Sequence, residues 1–122
     1  MFVQEKNDKK FILKMKKINL IITGCMGRMG QQLIISSKKN NNFKLVALTE
    51  NRSIKKKISG IKPVINTMNA FKKSNVIIDF TVPKCTLEIL KIASKLKKRV
   101  VIGTTGFTKK EENLIKNFYL LN

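Results

Sequence analysis

Seven residues, Gly24-Cys25-Met26-Gly27-Arg28-Met29-Gly30, place three glycines at a G-x-x-G-x-x-G spacing beside one basic side chain. Glycine lets a backbone turn tightly and come close to a ligand. Where such a turn opens a helix, free N–H groups and the positive end of the helix dipole face an anion. The chemistry on offer is binding of a phosphate or pyrophosphate. The spacing departs from the G-x-G-x-x-G of the common dinucleotide fingerprint, and a glycine turn without a ligand is the plain alternative. Glu50 stands twenty residues after Gly30, where a carboxylate can accept hydrogen bonds from ribose hydroxyls. Its alternative is a solvated loop acid. Gly103-Thr104-Thr105-Gly106 is a second turn, with two glycines around two hydroxyls. It suits close approach of a planar ring, or serves only as a strand-to-helix turn. Asp79 has no visible partner for acid catalysis; it caps the turn that follows it or supports that loop.

The elements that must hold these residues alternate along the chain. Residues 18–23 read as a buried strand, and Met29, Leu33 and Ile34 form a helical stripe over residues 28–39. A second strand covers 43–48 and ends at Thr49-Glu50. Residues 51–62 are lysine-rich, contain Gly60 and read as a loop. A short helix is predicted over 66–73, a third strand over 76–80, and a helix over 86–96. A fourth strand at 99–102 and a helix at 109–117 follow, and Phe118-Tyr119-Leu120-Leu121 opens what reads as a fifth strand. Such alternation specifies an α/β fold: a Rossmann-type doubly wound parallel sheet with right-handed crossovers, cut at about the fifth strand. Ligands bind outside the carboxyl ends of the strands in that architecture. Gly24, Glu50, Asp79 and Gly103 all fall at such ends, which favours a nicotinamide dinucleotide as the ligand. Arg52 could pair with a 2′-phosphate, whereas Glu50 would repel one, so use of NAD or NADP is expected, with NAD favoured.

Composition narrows the alternatives. A chain of 122 residues, 43% hydrophobic, is one domain with enough apolar content for a core. The division is a flexible tail at 1–15, with Met15 an alternative start, and one domain at 16–122. The net charge of +19 invites a nucleic-acid reading. It is discounted because the basic residues are almost all lysine, with only Arg28, Arg52 and Arg99 as arginines. Base readout favours the planar arginine fork, and single strands favour interleaved aromatics. Abundant lysine, asparagine and isoleucine point instead to an A/T-rich coding bias. No specific nucleic-acid partner is expected. No apolar run reaches the roughly 20 residues that cross a membrane, and residues 1–14 lack the apolar core of a secretory signal. Cys25 and Cys85 match no metal spacing and read as free thiols of a reducing, cytoplasmic compartment. The chain has no histidine, so no histidine metal site or histidine acid–base catalyst exists within it.

Taken together, Gly24 to Gly30 with its G-R-M-G ending, Glu50, Asp79-Phe80-Thr81-Val82-Pro83 and Val101-Ile102-Gly103-Thr104-Thr105-Gly106-Phe107 resemble the dihydrodipicolinate reductase family in order and spacing. That family belongs to diaminopimelate and lysine biosynthesis, and the resemblance covers residues 16–122. It implies that Gly24, Cys25, Met26, Gly27, Arg28 and Met29 contact the cofactor pyrophosphate and ribose region. It implies that Glu50 binds the adenosine ribose and that Gly103, Thr104 and Thr105 line the nicotinamide end. Asn51 departs from the pattern, since an arginine holding the 2′-phosphate often stands there. Val82 replaces a basic residue of some members. The family's second domain binds the dihydrodipicolinate-type substrate, supplies a histidine and a lysine, and builds a tetramer. The resemblance therefore implies a cofactor domain lacking that second domain, with turnover by the chain alone absent or very low. A decayed gene, a split gene with a separate substrate-domain chain, and a fragment of a longer protein all fit. An inactive remnant or a non-catalytic dinucleotide-binding protein is the alternative.

Overall fold

The computed structural model describes residues 17–121, with side chains through Phe118. The tail assigned to residues 1–15 lies outside the described residues. Five parallel strands form one sheet: β1 (Ile18–Thr23), β2 (Phe43–Glu50), β3 (Val64–Ile65), β4 (Val76–Asp79) and β5 (Arg99–Ile102). Their order across the sheet is β3-β2-β1-β4-β5. The chain steps outward from β1 to β3, then returns to the far side of β1 with β4. That reversal opens a crevice between the carboxyl ends of β1 and β4, the switch point where doubly wound sheets bind ligands.

Four helices cover the sheet: α1 (Arg28–Lys39), α2 (Met68–Phe71), α3 (Pro83–Leu96) and α4 (Lys109–Leu121). Strand alternation divides the core into two layers. Ile21, Ala47 and Ile77 face one way and pack with Phe71 of α2 and with Cys85, Ile89 and Ala93 of α3. Leu20, Ile22, Leu48 and Val76 face the other way and pack with Ile34 of α1. The central strands are apolar on both faces because both faces are covered.

Local chemistry sets the ends of the helices. Pro83 begins α3 at a position where its missing N–H costs nothing, so this helix starts before the Thr86 expected from sequence. It stops at Lys97, whose left-handed φ of 55° lets the N–H of Lys98 reach back to the Ala93 carbonyl at 2.9 Å. A reciprocal box opens α4: Glu111 N–H donates to the Thr108 hydroxyl at 3.1 Å, and Thr108 N–H donates to the Glu111 carboxylate at 2.9 Å.

Two expectations change. Residues 118–121 are not a strand; α4 continues through Leu121. No glycine, proline or polar break follows Asn117 to stop it. The strand that brings the sheet to five is instead β3, Val64–Ile65, only two residues long and paired with Thr49 and Glu50. A two-residue strand beside Pro63 carries too little alternation to be read. The lysine-rich loop also has form. Ser59 (φ 52°) and Gly60 (φ 79°) turn the chain tightly, so that Ile58 and Ile61 bridge each other and pack on the second core layer.

Candidate functional site

The glycine turn connects β1 to α1, and its three glycines have three different reasons to be glycine. Gly24 sits at φ +62°, and a Cβ there would lie 2.6 Å from the Phe80 carbonyl oxygen. A Cβ on Gly30 would overlap the Gly24 carbonyl oxygen and the Cys25 Cα, so Gly30 lets α1 lie against β1. Gly27 differs from both. Its φ of −74° suits any residue, and a Cβ there would meet only the Gly24 oxygen, at 3.4 Å. Packing within the chain therefore does not require glycine at 27. The position is an open cradle at the start of α1. No side chain caps that helix start, and no acid stands in its first turn. The first-turn amides and the exposed Arg28 thus present positive potential that no residue of the helix's own first turn offsets.

Glu50 closes one side of this cradle. One carboxylate oxygen accepts the Met26 N–H at 3.0 Å, and the other accepts the Asn51 N–H at 3.2 Å. The end of β2 is thereby tied to the glycine turn. Each oxygen keeps lone-pair capacity for a ribose hydroxyl. The Gln31 side-chain amide donates to the Met26 carbonyl at 2.9 Å and braces the same turn from α1.

The structure brings Gly24, Met26, Gly27, Arg28, Met29 and Glu50 into one patch. Cys25 contributes only backbone there, because its side chain is wholly buried in the second core layer. Burial, reinforced by the Glu50 charge, pushes its thiol up to about 11. Burial also raises the Cys85 thiol. Neither is a thiolate at neutral pH, so neither should be reactive in the folded chain. Iodoacetamide at pH 8 should label both cysteines only as fast as the chain opens, and promptly in urea. Rapid labelling of the native chain would contradict their placement. The sign of the linkage follows from the same shift. The raised Cys25 value contributes stability that is complete below pH 9 and lost as pH climbs towards 11.

The second turn, Gly103 to Thr105, lies at the end of β5, two strands away from β1. Gly103 packs against the Phe80 ring, which occupies the space a Cβ would need. Thr104 is buried and turned inward, while Thr105 is exposed. Asp79 supports this loop, as expected of it, with hydroxyl partners that sequence reasoning missed: Thr23, Thr81, Thr86 and Thr104. Each of these threonines adjoins a strand end or helix start, the only signal that could have marked them. Arg52 and Val82 are exposed. Among the described residues no cluster of histidine, cysteine, aspartate or glutamate could hold a metal ion, and no helix is long and apolar enough to cross a membrane.

Residues 18–120 match the family described as dihydrodipicolinate reductase, N-terminus. The 4-hydroxy-tetrahydrodipicolinate reductase of Pelagibacter ubique is 76% identical over 104 residues, covering 85% of this chain and 40% of that protein. The structure of a dipicolinate-bound dihydrodipicolinate reductase from Paenisporosarcina sp. TG-14 superposes with a TM-score of 0.70 at 28% identity, over 86% of this chain and 43% of that one. A D-galactose-1-dehydrogenase from Rhizobium etli follows at a TM-score of 0.66 and 25% identity, over 87% of this chain and 34% of that one. The chain thus spans about 40% of the length of the curated relatives it matches.

Proposed function

The chain belongs to the dihydrodipicolinate reductase family and matches its N-terminal part, and from this premise we propose that it holds the nicotinamide dinucleotide of such a reductase. The observation that carries the reading is Gly27. It is a glycine that packing does not require, at a helix start with neither cap nor acid, in the crevice beside the switch point. Such a position suits a pyrophosphate lying against bare backbone.

Each part of the cradle has its task. The first-turn amides of α1 receive the pyrophosphate oxygens. Glu50 accepts from the adenosine ribose hydroxyls while it keeps the glycine turn closed through Met26. The turn at Gly103 to Thr105 lines the nicotinamide end and helps set which face of the ring is presented. The bound dinucleotide supplies the hydride, and in the complete reductase the acceptor is the unsaturated ring of a dipicolinate-type substrate. Binding and protonation of that substrate belong to the part of the reductase that this chain does not span. A cytoplasmic setting suits the two unpaired, buried thiols.

NAD is the favoured cofactor. Glu50 is pinned by two backbone amides, so its charge stays where a 2′-phosphate would come. Asn51 offers no opposing charge, and Arg52 is exposed to solvent. Titration with NADH and NADPH, followed by nicotinamide fluorescence, should give saturable binding of both, with NADH tighter by about tenfold, the scale of one uncompensated charge contact. Absence of saturable binding by a folded chain would remove the cofactor reading. Tighter NADPH binding would reverse the preference and assign the 2′-phosphate to Arg52.

A further inference from the structure

Asp79 is wholly buried at the carboxyl end of β4. One of its oxygens accepts from the hydroxyls of Thr23 and Thr81, each at 2.7 Å. The other accepts from Thr86 at 2.5 Å and from Thr104 at 3.2 Å. Among the described residues no lysine or arginine forms an ion pair with it. A buried carboxylate without a cation is costly, and here only hydroxyl donors offset that cost. A core position needing apolar volume would not select such a group. Four segments converge on it: the end of β1, the loop after β4, the first turn of α3 and the turn after β5.

The two cofactor turns depend on this hub unequally. Thr23 lies inside the ladder, paired with Thr49 of β2 on one side and with Asp79 of β4 on the other. The glycine turn beyond it is closed by its own bonds, from Gly27 N–H to the Gly24 carbonyl and from Met26 N–H to Glu50. The turn after β5 extends from an edge strand paired only with β4. Besides the packing of Gly103 on the Phe80 ring, its hydrogen bonds among the described residues lead to Asp79 or to a partner of Asp79. Gly103 N–H donates to the Asp79 carbonyl at 2.7 Å, and the Thr104 hydroxyl donates to the Asp79 carboxylate. The same Thr104 oxygen accepts the Thr81 N–H at 2.8 Å.

We propose that Asp79 is a positioning residue for the nicotinamide half of the cofactor, fixing the Gly103–Thr105 turn at its working distance from the pyrophosphate turn through Thr81 and Thr104. This deepens the cofactor reading above and rests on it. Asp79 touches no cofactor atom; it acts through the threonines. An asparagine in its place presents N–H donors to two of the four hydroxyls, which then lose their acceptor.

The test separates the two halves of the ligand by comparing NADH with ADP-ribose, which has no nicotinamide. In Asp79→Asn the dissociation constant for NADH should rise about tenfold, while that for ADP-ribose stays within about twofold. Thr104→Val, nearly isosteric and outside the strand ladder, should show the same split. It decides the matter should Asp79→Asn fail to fold. Equal weakening of both ligands would mark Asp79 as a general structural residue and overturn the proposal, as would unchanged NADH binding in folded variants. A wild-type chain that binds neither ligand overturns the underlying cofactor reading first, and this proposal with it.

Discussion

Gly27→Asp should eliminate NADH binding, by at least about a hundredfold, without lowering the melting temperature of the chain. The loss is on the scale of several charge-assisted hydrogen bonds exchanged for repulsion. Two features make this combination unusual. Gly27 is the residue preceding α1, has an extended backbone, and leaves the helix uncapped. Aspartate is a preferred residue at such a position and accepts from first-turn amides, so the helix gains a few tenths of a kcal/mol relative to glycine. The same carboxylate then fills the cradle and consumes the donors that the proposed function assigns to the pyrophosphate. Stability and binding move in opposite directions, which damage to the fold cannot imitate. Thermal melting alongside nicotinamide fluorescence checks both. Retained binding in the variant would show that the dinucleotide does not lie over Gly27.

Gly30→Ala is expected to do the reverse and act through the fold. The added methyl would overlap the Gly24 carbonyl oxygen and the Cys25 Cα, both backbone atoms. Neither can swing aside as a flexible side chain would. Relief requires α1 to move off β1, which disturbs the packing of Ile34 against Leu20, Ile22 and Leu48. The cost should be about 3 kcal/mol or more, at the upper end of overpacking substitutions. That is a large share of the roughly 5–15 kcal/mol that holds a domain folded. Urea denaturation should show a clear fall in midpoint. A midpoint within error of wild type would mean that α1 sits farther from β1 than described.

Much of this arrangement was legible in the sequence because the signals were long or chemically singular. Residues 18–23 read as a buried strand through a largely apolar run, residues 76–80 read as a strand that the structure ends at Asp79, and the glycines at 24, 27 and 30 marked the turn between β1 and α1. Glu50 stood out by its place at the end of the second strand, twenty residues after Gly30. The failures were of two physical kinds. Val64–Ile65 is a strand only because β2 offers it an edge to pair with, and two residues carry no period of their own. Residues 118–121 are β-prone by composition, yet they continue a helix whose start is fixed ten residues earlier by the box between Thr108 and Glu111. A hydrophobic run in isolation does not reveal what its neighbours have already nucleated. The threonine cluster around Asp79 was illegible for another reason. Its members lie up to 81 positions apart, at residues 23 and 104, and only the sheet order β1-β4-β5 brings them together. Sequence offers Asp79 and hydroxyls beside strand ends and a helix start, but not that all four hydroxyls aim at that one carboxylate.

The bond from Met26 N–H to Glu50 has a kinetic side. That bond ties the glycine turn to the end of β2 within the chain itself, so under the proposed function this turn needs no rearrangement when a dinucleotide arrives. Capture is then governed by encounter rather than rearrangement. A net charge of +19 draws a multiply charged anion from a distance set by the Debye length, about 8 Å at physiological ionic strength. Under the proposed function, the lysines behind that charge act as an antenna for a small anionic ligand. Added salt should slow arrival more than it hastens departure.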